Sequence, residues 1–385
     1  IKQTNGIGDG ECPGLKTMTN QITASKQLPL PQLKYGLTTY LSLDNFSLPE
    51  APISFTPFTT KGPSAIKIID AKEFWESPRG KAMYKILEKQ PTNQIEAIQQ
   101  QALHQGKVII IPANETFEQP LLLEKHCTTA IDADTMIIII EKNSKASIVE
   151  LVTSTEQCYL RTQRLHIILE DNAELSYCNI QNLDKQTYNF ISKTANTARN
   201  AKIYWLDGCF GSYFTSSAIH TTLIGEASSM QADTMFFAQR EQQFDLAVEA
   251  QHVAPHTTSD MRTKGVGKDK SKTVYRGNIK IHENAKNSIG YQKEDTLILS
   301  DDATVDAIPK LEIDNHDVRC KHGATVGQID RDKIFYLASR GLSEGEAQAT
   351  IVQGFFAPTI QKINAEELKK RLFKEIEEKT AFLIQ

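Results

Sequence analysis

The sequence predicts a mainly β protein: a parallel β-helix flanked by helical regions at both ends. Three observations predict it. Short apolar strands follow one another from Lys107 to about Ile313, a corner motif recurs among them at a nearly constant spacing, and helical periodicity is confined to the flanking segments. With 385 residues, of which 40% are apolar, the chain can bury a large core and divide into two or three domains.

Residues 1–70 have the composition of an extended arm that wraps another part of the protein. They are rich in Pro, Thr and Ser, and LPLPQLKYGL and SLPEAPISFTP favour extended or loop backbone. From Asp70 to His104 apolar residues recur at helical spacing, which predicts two helices broken near Pro91 and ended by Gly106. We therefore assign residues 1–106 to an N-terminal arm and helical region.

Residues 107–326 are predicted to form the β-helix core. A polar or acidic residue precedes Ala and a new strand at five positions, which are Ala146, Ala173, Ala201, Ala227 and Ala285. Their spacings are 27, 28, 26 and then 58 residues, the last close to twice the unit. A fixed repeat of this length indicates a solenoid, and strands without intervening helices favour stacked parallel coils. The alternative is a large β-sandwich in which the alanine spacing is a coincidence.

Residues 327–385 are predicted to form a C-terminal helical region of three helices, IDRDKIFYLASRG, SEGEAQATIVQGFF and NAEELKKRLFKEIEE. Capping boxes of Ser343 with Glu346 and of Asn364 with Glu367 open the second and third helices. These helices would either cap the solenoid, whose end would otherwise expose strand edges, or dock a partner. The pattern leaves both roles open.

Composition excludes several classes of function. The 43 Lys and Arg against 47 Asp and Glu give a net charge of -4, without the basic excess of a nucleic-acid binder. The longest apolar run is MIIII, and the N-terminus lacks an apolar signal-peptide core, so we expect a cytoplasmic chain. Six scattered cysteines without a CxxC pair indicate neither a disulfide scaffold nor a self-contained zinc or iron-sulfur site.

The segment PKLEIDNHDVRCKHGATVGQIDRDKIFYLASR holds the candidate metal ligands. Cys320 and His322 are two residues apart in a predicted strand, so their side chains would share one side. A thiolate and an imidazole suit iron, zinc or copper(I) rather than magnesium or calcium. Two ligands do not complete a site, so the remaining ligands must come from elsewhere.

Other polar residues near this pair admit two interpretations. Glu312, Asp314 and His316 share parity with Cys320 and His322 if the strand is unbroken, whereas a turn at IDNHD would destroy that row.

A second histidine pair occurs further upstream. His252 and His256 are four residues apart, but Pro255 disfavours the helix that would align them on a metal. Structural hydrogen bonding or a turn is the use we expect of these two histidines.

A long C-terminal run carries a family resemblance. YRGNIKIHENA together with TLILSDDATVDAIPKLEIDNHDVRCKHGATVGQIDRDKIFYLASRGLSEGEAQATIVQGFF closely resembles the SufB/SufD family of iron-sulfur cluster assembly scaffold subunits. The resemblance covers residues 250–360, including QHVAPHTTSDMRTKGV at its upstream end, and the first 100 residues share only the general layout. CKHGAT resembles the SufD form of the family rather than the SufB form.

The resemblance implies an architecture and a set of partners. It implies a right-handed parallel β-helix, pairing of SufD with SufB through their β-helices, and docking of a SufC ATPase on the C-terminal helices. The ATPase contacts would be Phe335, Tyr336, Leu337, Arg340, Gly341 and the helix from Ser343 to Phe355, including Ala347 and Ile351. His322, with Cys320 beside it, would lie at the SufB interface and help complete a nascent cluster or iron site.

No nucleotide site is expected in this chain. The nearest approach to a P-loop, GVGKDKS, has Asp269 where Ser or Thr is needed and Arg262 in place of the first Gly. A noncatalytic scaffold is therefore the expected role, with nucleotide bound by a partner.

Two alternatives remain, and one further association is open. The first alternative is a purely structural brace without metal ligation. The second is a β-helix polysaccharide-processing enzyme, which would need clustered carboxylates. The isolated chain could also form a homodimer, because a face that pairs with a homologous partner could pair with itself.

Overall fold

The strands from Gly106 to Gln328 alternate between two parallel sheets and form the predicted β-solenoid. The structure is a computed structural model that describes residues 25–35, 39–363 and 365–381. Each coil contributes one strand to each sheet, and each strand pairs in parallel with the equivalent strands of the neighbouring coils. The described chain contains eight such coils, which confirms the fold class.

The solenoid is preceded by three short strands, β1 (Ile53–Ser54), β2 (Thr59–Lys61) and β3 (Lys67–Asp70). The first sheet continues with β4 (Gly106–Ile111), β6 (Ile131–Ile140), β8 (Leu160–Leu169), β10 (Tyr188–Thr197), β12 (Phe214–Leu223), β14 (Gln243–His252), β16 (Lys272–Ile281) and β18 (Thr304–Ile313). The second contains β5 (Leu121–Cys127), β7 (Lys145–Ser154), β9 (Glu174–Asn182), β11 (Lys202–Cys209), β13 (Ser229–Ala238), β15 (Thr258–Gly267), β17 (Ile289–Ile298) and β19 (Arg319–Gln328). β2 and β3 add antiparallel strands at the start of the two sheets.

A residue in left-handed backbone marks one corner of successive coils. These residues, with φ between 57° and 63°, are Asn114, Asn143, Asn172, Asn200, Ala227, His256 and Asn287. They are 27 to 31 residues apart, which is the coil length. Asparagine tolerates this conformation better than most residues. The amides of the first four also form a hydrogen-bonded ladder, with N···O distances of 2.8 to 3.0 Å.

The recurring alanines report the coil length but not one structural position. Ala173 and Ala201 follow the left-handed residue directly, whereas Ala227 is itself that residue. Ala146 lies inside β7, and Ala285 precedes the next corner by two residues. The position directly after the left-handed residue is buried in six coils, and a small residue of any kind occupies it. These residues are Ser144, Ala173, Ala201, Ser228, Thr257 and Ser288. The predicted repeat length is therefore right. The prediction that all five alanines occupy one equivalent corner position is wrong for three of them, Ala146, Ala227 and Ala285.

The interior between the sheets holds an apolar cluster that runs along the solenoid. Alternate residues of each strand point inward because successive strand side chains face opposite sides. Ile138 of β6 and Ile167 of β8 stack in register, as do Ile203 of β11 and Met230 of β13. Stacking of equivalent positions thus builds one continuous core from short strands.

The N-terminal arm and helices cover the outer face of the first sheet. This sheet has ten strands, because β3 pairs with β4 and β1 pairs with β6. The helices are α1 (Ala71–Glu76), α2 (Pro78–Leu87) and α3 (Gln94–Gln101), followed by a 3-10 turn at Ala102–His104. The prediction of two helices was wrong, because Ser77 caps a new helix and Pro78 opens it. Arm residues such as Leu41 and Phe46 pack against Tyr188 and Phe190, which agrees with a wrapping arm.

The C-terminal helices cover the outer face of the second sheet, which has nine strands including β2. They are α4 (Arg331–Ala338), α5 (Glu344–Ile360) and α6 (Glu366–Thr380). Val352, Phe356 and Leu372 pack against strand residues such as Leu206 and Phe237. Of the two roles that the sequence left open, the structure does not show capping, since the helices lie along the solenoid and leave the last coil open.

One predicted helix end agrees with the sequence and another does not. α3 ends at Gln101 and Gly106 is the first residue of β4, so Gly106 does not end the helix. The capping box of Ser343 and Glu346 is confirmed. Asn364 lies outside the described residues, as does Cys12. No helix in the described ranges is both long and apolar enough to cross a membrane.

Candidate metal centre on the last coil

Cys320 and His322 lie on β19, the last strand of the nine-stranded sheet. β19 pairs with β17 on one side, and no strand of the described chain pairs with its other edge. Cys320 is in register with Gly290 and His322 with Gln292, and both of these partners are buried. The two donors therefore share the inward side of the last coil.

The Cys320 thiol is partly exposed and packs against the end of the apolar cluster. Burial raises the pKa of this thiol, and a backbone hydrogen bond from Gly290 partly offsets the rise. A Cβ atom on residue 290 would lie 2.8 Å from Ile279 Cγ2, so glycine at this position leaves room for the Ile279 side chain. The four other described cysteines are buried, as expected of core residues.

His322 is exposed, so its imidazole is accessible from the open end of the solenoid. Within the described residues, no group of three or more His, Cys, Asp or Glu side chains is arranged to hold a metal ion. Cys320 and His322 thus supply half of a four-ligand shell. They fit a transient iron or cluster cargo only if another chain or the cargo itself provides the rest.

The turn after β18 separates the metal-ligand pair from the neighbouring polar residues. β18 ends at Ile313 and β19 begins at Arg319, so the continuous row with Glu312, Asp314 and His316 does not form. Glu312 instead accepts a hydrogen bond from Asn278 at 3.0 Å. The turn alternative is the one that the structure adopts.

His252 and His256 have structural roles, as expected. The buried His252 ring hydrogen-bonds Thr257 Oγ1 at 2.8 Å and Ser259 Oγ at 2.9 Å. Burial lowers the pKa of His252 to about 4. His256 is one of the left-handed corner residues.

The C-terminal residues assigned to an ATPase contact differ in exposure. Phe335 and Tyr336 are 75% and 55% exposed, and the Arg340 guanidinium lies 4.9 Å from the centre of the Tyr336 ring. Leu337 is partly buried, and Gly341 has a φ of 97° just after α4. A cavity of about 590 Å³ lies beside this helix, between it and the ends of β17 and β19.

Three residues of α5 belong to its inner side instead. Ala347 is fully buried, which corrects its assignment as a surface contact, because its side of the helix packs inward. Ile351 and Phe355 are partly buried against the apolar residues that pack between the C-terminal helices and the second sheet. Lys264 of β15 donates to the Phe355 carbonyl and lies 4.6 Å from its ring centre, so Phe355 anchors α5 to the solenoid.

Sequence comparison places this architecture among known proteins. The family described as SUF system FeS cluster assembly, SufBD core domain, matches residues 124–355, which is more than half of the chain. The chain belongs to the SufBD family. The matched residues include most of the solenoid, the last coil with Cys320 and His322, all of α4 and most of α5.

Curated relatives carry the SufBD family name. An iron-sulfur cluster assembly SufBD family protein of Staphylococcus saprophyticus is 30% identical over 282 residues, covering 71% of this chain and 60% of that protein. A SufBD family protein of Staphylococcus epidermidis is 30% identical over 269 residues, covering 68% and 57% respectively. The chain thus spans about three fifths of the length of these relatives.

Sequence reasoning missed polar residues that face inward near the candidate centre. Gln292 and Glu294 of β17 are 4% and 1% exposed, and they follow Gly290 on the inward side of that strand. Polar residues at core parity in the segment IGYQKEDT were the available signal. Ala324, beside His322, is in register with Glu294.

Proposed function

We propose that this SufBD family chain is a SufD-type scaffold subunit of the Suf iron-sulfur cluster assembly complex. It pairs with a SufB-like subunit through the open end of its solenoid and docks a SufC-like ATPase through its C-terminal helices. Cys320 and His322 contribute to a nascent cluster at the subunit interface, and the chain itself is noncatalytic. The observation that carries this proposal is an incomplete ligand pair on an uncovered strand edge.

The open end of the solenoid supports pairing with a homologous subunit. β18 and β19 are the terminal strands of the two sheets, and Ile313 and Val326 on them are 43% and 38% exposed. Unpaired strand edges with exposed apolar side chains favour association with another chain. A second copy of this chain could use the same edge, so a homodimer is a competing arrangement in isolation.

Docking of an ATPase is supported by exposed aromatic residues on α4. Phe335 and Tyr336 project from a helix that has no fully buried residue. Aromatic and arginine side chains contribute strongly to protein interfaces, and Arg340 lies over Tyr336.

The SufD assignment rests on the CKHGAT segment.

The ligand chemistry suits a transient cargo. An imidazole binds iron less tenaciously than a thiolate does, and iron-sulfur clusters are usually held by four thiolates. A site split between two chains can open when the chains move. Motion driven by ATP hydrolysis in the partner would then allow release of the cluster.

The test is cluster formation in cells that express this chain with SufB-like and SufC-like partners. We expect His322→Ala to leave the complex intact by pull-down and to abolish cluster formation. His316→Ala is the matched control, since this exposed histidine lies in the turn before β19. Unchanged cluster yield in His322→Ala would instead favour a structural brace.

The brace alternative has one observation in its favour. Cys320 packs against the apolar cluster, which is what a cysteine retained for packing would do. Cys320→Ala and His322→Ala together separate the two functions, because a brace tolerates both changes in an assembled complex.

A further inference from the structure

The solenoid buries acidic side chains that are matched by basic ones. Lys125 contacts Asp132 and Asp134, and these three side chains are fully buried. Arg161 lies 3.3 Å from Glu150, and Lys193 forms an ion pair with Asp207. On the outer faces, Lys362 is 2.9 Å from Asp233 and Arg276 is 2.7 Å from Asp245. Pairing offsets the high cost of removing a carboxylate from water.

Glu294 is the exception among the buried carboxylates of the described residues. Its side chain is 1% exposed, and no Lys or Arg of the described chain forms an ion pair with it. Its Oε1 accepts a hydrogen bond from Thr296 Oγ1 at 3.1 Å, whereas its Oε2 has no hydrogen-bond partner. An unpaired carboxylate at this depth requires either a proton or a cation from outside the chain.

Other polar oxygens lie near Glu294. Gln292, two residues earlier on the same side of β17, has a buried Oε1 without a hydrogen-bond partner. Thr263 is in register with Glu294 on the neighbouring strand, and the Tyr275 hydroxyl lies close to both Thr263 and Glu294. These residues, Thr263, Tyr275, Gln292 and Glu294, form what we call the interior oxygen cluster.

The backbone provides room for these side chains. A Cβ atom on Gly277 would lie 1.9 Å from Gln292 Nε2, so the Gln292 amide occupies the space that a side chain at 277 would fill. Above Glu294 in the last coil lies Ala324, whose small side chain is exposed. The cluster is therefore close to the open end of the solenoid.

We propose that the interior oxygen cluster binds a divalent transition-metal cation of the Fe²⁺ or Mn²⁺ class, with Glu294 as the charged ligand. Carboxylate, amide and hydroxyl oxygens are ligands of hard divalent cations. His322 is in register with Gln292 one strand away, about 4.8 Å across the sheet, and a nearby imidazole favours Fe²⁺ or Mn²⁺ over Mg²⁺ or Ca²⁺. The cation provides the positive charge that Lys125, Arg161 and Lys193 provide elsewhere in the interior.

This site is contained within one chain and does not depend on a SufB-like partner. Failure of the proposed assembly function would therefore leave the cation site standing, and the reverse also holds. The test uses the purified, chelator-treated full chain titrated with Mn²⁺ alone, with free Mn²⁺ measured by electron paramagnetic resonance. We expect one Mn²⁺ per chain in the wild type.

Glu294→Gln is expected to weaken Mn²⁺ binding at least tenfold. The matched control is Asp295→Asn, because Asp295 is the next residue of β17, and it bonds Lys293 at 2.8 Å on the other side of the strand. This control should bind Mn²⁺ like the wild type. If Glu294→Gln does not fold, Gln292→Met serves as the second variant and should also weaken binding.

Three results would overturn the proposal. One is the absence of stoichiometric Mn²⁺ binding by the wild type. Another is wild-type affinity in the folded Glu294→Gln variant or, if that variant does not fold, in Gln292→Met. The third is loss of binding in His322→Ala with wild-type binding in Glu294→Gln, which would place the cation on the exposed last coil instead.

Discussion

The buried His252 ring makes the folded protein sensitive to acid. The ring is fully buried at the end of β14, and burial lowers the pKa of His252 from 6.5 to about 4. The folded state therefore favours the neutral ring. The stabilisation is fully present above pH 6.5, the unfolded value, and is lost progressively as the pH falls towards 4.

The size of the effect follows from these two pKa values. The difference between them corresponds to roughly 3 kcal/mol in total, at about 1.4 kcal/mol for each pKa unit. Proton linkage places about 2 kcal/mol of this between pH 7.5 and pH 5. Burial also lowers the pKa of His166 to about 4, so the wild type alone would not isolate His252.

The assay compares the free energy of urea unfolding of wild type and His252→Gln at pH 7.5, 6 and 5. Glutamine keeps hydrogen-bonding capacity towards Thr257 and Ser259 but does not titrate. We expect the variant to be less stable at pH 7.5, and the gap to shrink by about 2 kcal/mol at pH 5. His256→Asn replaces a neighbouring histidine at an exposed corner and serves as the control for substitution near this turn. A constant gap for His252→Gln would refute the reasoning.

Three further predictions concern packing, backbone and docking. Lys193→Met leaves Asp207 buried without its partner and should cost about 3–5 kcal/mol in thermal or urea unfolding, which Asp207→Leu in the same chain should largely restore. Gly106→Ala should cost roughly 1–3 kcal/mol, because φ is 124° and a Cβ would lie 1.9 Å from a carbonyl oxygen, whereas Gly323→Ala, in open space, should stay within about 0.5 kcal/mol. Phe335→Ala should weaken binding of the proposed SufC-like ATPase about tenfold or more in a calorimetric titration, at an unchanged melting temperature, and an unchanged affinity would remove α4 from the proposed interface.

The coil repeat was predictable because stacking imposes one residue pattern on every turn. Six of the seven left-handed residues at this corner are followed by a small buried residue, as at Asn172 and Ala173 or Asn200 and Ala201. The alanine pattern gave the spacing between coils, but Ser and Thr also fit the small buried position. The sequence alone therefore predicted the length of a coil but not the corner residue of every coil.

The candidate site was predictable only in part. Strand alternation was enough to place Cys320 and His322 on one side of β19. It did not reveal that Glu294 and Gln292 face the same interior one coil earlier, because the register between strands of different coils is fixed by tertiary pairing. Nor could it show that Ala347 faces inward while Phe335 is exposed, since both lie in helices of mixed periodicity.

The amino-acid sequence by itself determined the mainly β class, the coil length and the helical regions at both ends. These features depend on local periodicity and turn chemistry, which neighbouring residues carry. Only the tertiary structure decided that α4–α6 lie along a sheet face rather than over the solenoid end, and that Glu294 is buried without a cationic partner. Such facts depend on which distant surfaces meet, and packing energy between residues far apart in the chain has no local signature.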